Sequence, residues 1–355
     1  MVIALPISLN LISSIAFINS KAPYNHMKFF DFFCGAGGIS YGLSRASFTS
    51  LGGLDKYEIA CKTYEQAIKS KATVKDAFRL SLNEVRKLVD SADVIVGCPP
   101  CQGFSVINRQ RRIKDDKRND LVLWFAEVVK VTKPKAIIFE NVPLVKKDPR
   151  FLELLKVLDK ANYGYAYSVI NMADYGVPQA RRRLVLIGVR GVKKIELPEP
   201  DYGSPDSGLV KRGTLKPWRT VRDAIGDLPP INDGECHPND KLHCTKKLNE
   251  YHKNIVRQVP KDGGSLEKIY ASAFSRLWWD RPSVTITTKF FDPSSGRFIH
   301  PEQDRGLSLR EGARLQTFPD DYPFAGSFRS IARQIGEAVP PLFAEKLGKH
   351  LKSYL

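Results

Sequence analysis

The sequence predicts an α/β fold: a mostly parallel, doubly wound sheet joined to a smaller, loop-rich part. Short apolar strands alternate with helical periodicities through the first half of the chain, the pattern of strands linked by crossover helices. After about Arg190 the texture changes, with Pro, Gly, Asp and Lys frequent and periodicity faint until about Trp278. A length of 355 residues suits one large domain and a smaller one.

Taken in order, residues 1–26 come first. "MVIALPISLNLISSIAFINS" is apolar but has no early Lys or Arg, so it does not read as a signal peptide. It is read as an extension outside the native fold, with the folded chain starting at Met27. "KFFDFF" (28–33) is a buried strand, and "CGAGGIS" turns it into a helix. A strand ending in "GGLD" and a third, "ATVK", follow. "DVIVGC" (93–98), "KAIIFENV" (135–142) and "RLVLIGV" (183–189) are further strands. Helical periodicity marks 82–91, 121–132 and 151–161, and returns at 308–318 and in a closing amphipathic stretch, 344–355. No internal repeat is visible.

The formal net charge of +17 favours a polyanionic partner, nucleic acid or a membrane surface. No apolar run reaches the roughly 18–20 residues of a membrane span. Six cysteines in so long a chain do not make a disulfide scaffold, and a reducing compartment is expected. A short basic run, "RQRRIKDDKR", covers 109–118.

Four stretches carry chemistry. In "FFDFFCGAGGIS", Gly35, Gly37 and Gly38 permit a tight strand-to-helix turn where backbone N–H groups meet a nucleotide-like ligand. The sixth position of the dinucleotide pattern is Ser40 rather than glycine. Asp55, 20 residues past Gly35, suits a ribose, and Asp76 after the third strand suits an adenine amine. The plainer alternative is that both are surface-loop acids. In "VIVGCPPCQGFS", Cys98 and Cys101 flank two prolines. A dithiol would normally open a helix in a thioredoxin-like unit. A zinc site would need Cys236, His237, His243 and Cys244, whose spacing fits no common finger. One reactive thiolate or two structural cysteines remain, and Gly103 with the basic run favours an exposed Cys101. Glu140 ends the strand "IIFE" at the edge where a ligand crevice lies. In a dry pocket such a carboxyl can donate a proton, although acids there also serve as caps. Arg181 and Arg183 in "QARRR" fall on one side of a strand start and can hold an oxygen acceptor or a phosphate. An ordinary basic edge strand is the alternative.

Together these stretches resemble the DNA cytosine-5 methyltransferases, of bacterial restriction-modification type, along nearly the whole chain from Lys28. The matches fall in the family's order: "DFFCGAGG", "GLDKYEIACKTY", "GCPPCQGFS", "RNDLVLWF", "KPKAIIFENV", "DYGVPQARRR", "RPSVTIT", "LSLREGARLQTFPDDY" and "QIGEAVPPLFAEKLG". A variable, loop-rich segment separates "QARRR" from "RPSVTIT".

The resemblance implies a Rossmann-like methyltransferase sheet in 27–190 plus 327–355. It also implies a small target-recognition domain in 191–326, with bases read from about Gly191 to Asp280. It implies S-adenosyl-L-methionine as cofactor, with Phe33, Gly35, Gly37, Gly38, Asp55, Asp76, Pro99 and Leu121 at or near it, and no metal. It implies Cys101 as the nucleophile on C6 of a flipped-out cytosine and Glu140 at N3 and the exocyclic amine. Arg183 would hold O2, with Arg181 beside the nucleophile and base. Cys98 would be structural, and the basic loop from Gly103 to Arg118 would close as a lid. The implied partners are double-stranded DNA and a cognate restriction endonuclease acting on the same site, for a monomer in the bacterial cytoplasm without a membrane. One departure stands out: the family's Gly-Asn-Ala-Val is here Gly336-Glu337-Ala338-Val339. A tRNA methylase of the same catalytic set would typically carry a Cys-Phe-Thr element, which is missing. A silent homologue would tend to lose the Pro-Cys pair or Glu-Asn-Val, and both are intact.

Overall fold

The computed structural model describes residues 27–100, 117–266 and 273–355. Residues 1–26, the expected extension, and 101–116, which hold Cys101 and most of the expected lid, lie outside the described residues.

Seven strands form one sheet: β1 (Lys28–Phe32), β2 (Thr49–Asp55), β3 (Ala72–Val74), β4 (Val94–Gly97), β5 (Ala136–Asn141), β6 (Tyr163–Asn171) and β8 (Arg182–Arg190). Their order is β3-β2-β1-β4-β5-β8-β6. From β3 to β5 every neighbour is parallel, whereas β8 runs antiparallel to both β5 and β6. The chain order reverses between β1 and β4, the switch point outside which a doubly wound sheet binds its ligand.

Both faces of this sheet are covered, so its strands are apolar throughout. Phe30, Phe32, Ile95, Ile137 and Phe139 point to one face and pack with the helices Leu121–Thr132 and Pro149–Lys160. Phe29, Val94, Val96, Ala136 and Ile138 point to the other, under α1 (Gly38–Arg45) and the closing helix Pro341–Lys352. One position breaks the pattern: Asp31, between Phe30 and Phe32, is fully buried.

β6 is absent from the sequence reading. Its side chains are mostly half-buried, and "YGYAYSVIN" has no apolar run to mark it. The expected helix at 82–91 ends earlier, as α3 (Leu82–Leu88), opened by a capping box between Ser81 and Glu84.

Residues 202–258 hold only short elements. A third apolar cluster nevertheless links Val221, Ile225, Leu277, Trp279, Ile286 and Phe290 with Leu315, Phe318 and Ile335. Buried charges organise the loops. Arg276, fully buried, donates to the carbonyls of Val256, Val259, His300 and Gln303 and pairs with Asp304. It supplies the donors that loop carbonyls would otherwise lack, and is therefore not available to read a base. Arg305 forks onto Glu311 at 2.9 and 2.7 Å, both side chains buried.

Cys236 and Cys244 face each other across a short antiparallel pair and form a disulfide. A reducing compartment and no disulfide scaffold were expected, and this is the one disulfide among the described residues. Both ring nitrogens of His243 are engaged, at 2.9 Å from Ser308 Oγ and 2.8 Å from the Pro229 carbonyl. Among the described residues no helix is long and apolar enough to cross a membrane.

Candidate active site

The carboxyl ends of β1, β2, β4 and β5 carry most of the residues singled out in the sequence. After β1 the backbone turns sharply, with Phe33 at φ +63°, Gly35 at +50° and Gly37 at +87°. Gly38 then opens α1. Two glycines are needed for different reasons. A Cβ on Gly38 would lie 2.4 Å from the Val339 carbonyl oxygen, so the helix start fits against the 338–339 backbone only without a side chain. A Cβ on Gly35 would meet nothing within 4 Å, so only its left-handed φ restricts it, and open space lies beside it.

Asp55, ending β2, accepts the Gly35 N–H at 3.0 Å on one oxygen and the Tyr57 N–H at 2.9 Å on the other. It therefore braces the glycine turn from the neighbouring strand. The Tyr57 ring lies under the Arg333 guanidinium at 4.5 Å, and Arg333 pairs with Glu337 at 3.1 Å. The residue that departs from the family pattern is thus tied to the Asp55 corner. Asp76 accepts the Phe78 N–H at 3.0 Å and caps a short 3₁₀ turn after β3. The Phe33 ring meets Trp124 edge-on at 5.7 Å, and Leu121 is buried at the start of that helix.

The second half of the site lies on β4, β5 and β8. Glu140 is only 8 % exposed. It pairs across the sheet with Val185, which sets it diagonally from Arg183, within reach of a long side chain. Arg183 Nε lies 3.2 Å from Glu140 Oε1. Asn141 donates at 3.1 Å to the Pro99 carbonyl, tying "ENV" to the segment that leads to Cys101. Burial, with the carboxylates of Glu140 and Asp31 adding, pushes the Cys98 thiol well above its ordinary pKa. A thiol held protonated suits packing rather than attack. Cys101 itself lies outside the described residues.

Arg181 falls between β7 (Gln179–Ala180) and β8 and is buried. Its guanidinium donates to the carbonyls of Ile286 at 3.3 Å and Ala338 at 3.0 Å. It therefore joins two distant segments, while Arg183 faces Glu140.

Sequence reasoning missed the glutamines beside it. Gln179 accepts from Ile286 N–H at 2.8 Å and donates to Gln316 at 3.0 Å. Gln316 donates to the carbonyls of Ile335 at 2.6 Å and Ala338 at 3.3 Å. Both lie inside stretches already quoted, "QARRR" and "RLQTF", but their role depends on contacts more than 100 residues apart in one case. Asp31 was also passed over, being read as part of a strand.

A site with a glycine turn, two acids at strand ends and a buried carboxylate beside an arginine can hold a nucleoside and polarise a base beside it. Comparison with known proteins bears on the family. Residues 27–353 match the family described as C-5 cytosine-specific DNA methylase. The Type II methylase M.HgiDII of Herpetosiphon aurantiacus is 34% identical, over 92% of this chain and 95% of its own. The Type II methyltransferase M1.HphI of Haemophilus parahaemolyticus is 32% identical, over 91% and 86%. Among solved structures, a DNA modification methyltransferase encoded within an E. coli prophage superimposes with a TM-score of 0.71 at 24% identity, covering 92% of this chain and 99% of that one.

Proposed function

Because the chain belongs to the C-5 cytosine-specific DNA methylases and is a DNA cytosine-5-methyltransferase of restriction-modification type, we propose that it works through a covalent adduct between Cys101 and C6 of a cytosine turned out of the duplex. The observation that carries this reading is the buried Glu140 carboxylate beside Arg183, linked through Asn141 to Pro99. It supports a base pocket two residues from Cys101.

The Cys101 thiolate would add to C6 of the ring. Glu140 would hold N3 and the exocyclic amine, drawing electrons from C6 and leaving C5 nucleophilic once the adduct forms. Arg183 would take O2, leaving Glu140 as the base binds. Arg181 would keep the 286 and 338 backbones in place around it. After C5 is methylated, loss of its proton and of the thiol restores aromaticity and frees the enzyme. Splitting one hard substitution into addition and elimination is the purpose of the nucleophile. The target carbon is inaccessible in a stacked duplex, so the base must be extruded at a cost of a few kcal/mol.

S-adenosyl-L-methionine supplies an electrophilic methyl group when bound. The residues fit it: open space beside Gly35, and at Asp31 a buried carboxyl oxygen without a hydrogen-bond partner among the described residues. Phe33, Gly35, Gly37 and Gly38 would line it, Asp55 would take the ribose and Asp76 the adenine amine, with Leu121 and Pro99 closing the side nearest the base. The body 27–190 plus 327–355 would hold catalysis, and 191–326 target recognition in the major groove. A cognate endonuclease, a monomeric state and action in the bacterial cytoplasm complete the proposal.

Methyl transfer from labelled S-adenosylmethionine to plasmid DNA, followed by sequencing for 5-methylcytosine, tests it. Label should appear at one short recurring sequence. Cys101→Ser should abolish transfer while DNA and cofactor still bind. Wild-type activity in that variant, or label on tRNA and none on DNA, would overturn the reading.

A further inference from the structure

Asp31 lies on β1, two residues before Phe33, and is fully buried. One of its oxygens accepts from Ser40 Oγ at 2.5 Å, and the other has no hydrogen-bond partner among the described residues. The titratable groups that face it come from every element packed around this end of the strand. They are Asp55 of β2, Cys34 of the glycine turn, Cys98 after β4, Tyr64 of α2 (Glu58–Ile68) and Tyr322. None is a cation. Asp55 differs from Asp31 in having two backbone N–H donors. Among the described residues, then, a carboxyl is buried with no matching positive charge at the carboxyl end of the strand that leads into the proposed cofactor turn. Buried charges are otherwise paired or neutralised.

We propose that Asp31 is the counter-charge for the sulfonium cation of the methyl donor, giving up its proton as the cation enters and so making the site favour the charged donor over the neutral spent cofactor. The inference rests on the cofactor reading above. The balance is simple: a neutral carboxylic acid and a bound cation become a carboxylate–cation pair, and one proton passes to solvent. Burial raises the Asp31 pKa to about 7, with Ser40 opposing and Asp55 adding to the rise. The acid is thus largely protonated below neutrality before the cation arrives. The donor and the spent cofactor differ by one methyl group and one positive charge, so a buried, uncompensated carboxyl is a direct way to tell them apart.

Isothermal titration of the full chain with S-adenosylmethionine and, separately, S-adenosylhomocysteine tests this. It is run between pH 6 and 8.5 in buffers of different ionisation enthalpy. The methylated donor should release close to one proton near pH 6 and about half a proton near pH 7, and its affinity should rise up to about tenfold per pH unit until about pH 7, then level. The neutral product should release almost none and show a flatter profile. Asp31→Asn should remove the proton release and cut the donor-over-product preference about tenfold, leaving product affinity within about threefold. Ser40→Ala, which removes the bond that favours the charged form, should move the midpoint of the donor profile to higher pH. It provides the test if Asp31→Asn does not fold. Equal proton release with both ligands, or an unchanged pH profile in the variants, would overturn the role of Asp31 while the cofactor reading stands. Binding of neither ligand by the wild type would overturn the cofactor reading and this inference with it.

Discussion

Glu140 shows how much one side chain can be asked to do. It is buried, it lies at the carboxyl end of a central strand, and Arg183 stands 3.2 Å from it. The pair keeps the carboxylate compensated until a base arrives. Glu140→Gln preserves shape but cannot pass a proton or balance Arg183. We expect kcat to fall about 10²- to 10⁴-fold with DNA and cofactor affinity changed only a few-fold, measured by single-turnover methyl transfer and binding titration. A variant that turns over normally but binds DNA poorly would contradict the role. The identity of this residue was legible in "IIFENV". Its partner was not, because the register that sets Arg183 diagonally across from it arises from an antiparallel pairing the sequence reading did not include.

At the scale of elements, the glycine turn separates two kinds of constraint. Gly35 is set by conformation, since its φ is +50° and its missing Cβ faces open space. Gly38 is set by crowding, since its Cβ would overlap the Val339 carbonyl. Gly38→Ala must therefore push α1 away from the backbone of the last motif, and a loss of about 1–3 kcal/mol is expected. Gly35→Ala should cost about 1 kcal/mol or so, the ordinary penalty of a left-handed backbone. Chemical denaturation of the two variants side by side checks the order. Equal stability for both would mean that the turn relaxes around a methyl group. Helix Leu121–Thr132 was read from periodicity with its observed bounds, because a long apolar stripe leaves little choice. β6 was missed because a half-buried edge strand carries little apolar signal.

For the whole molecule, charge dominates. The net +17 has no counterpart in the core, where arginines such as Arg276 and Arg305 are paired or carbonyl-bound. Among the described residues the unburied surplus is free to face a polyanion such as DNA. DNA affinity should fall by about a hundredfold or more between 50 and 200 mM salt, and log K should be linear in log salt. A flat response in a filter-binding or anisotropy titration would remove the electrostatic reading. In the loop-rich part, buried polar groups tie loops together beside the apolar clusters. Arg276 binds four carbonyls, and Gln316 ties the Gln179 strand to the carbonyl of Ile335.

The sequence by itself determined the family, the strand-and-helix alternation of the sheet and most of the candidate catalytic set. Each of these depends on short motifs or on local periodicity. Only the tertiary structure decided which charges meet. It brought Arg183 to Glu140, bound Arg181 to the 286 and 338 carbonyls, and joined Cys236 to Cys244. It also left Asp31 buried with no cation beside it among the described residues. Partners and solvent are properties of packing between residues far apart in the chain, and local periodicity carries no record of them.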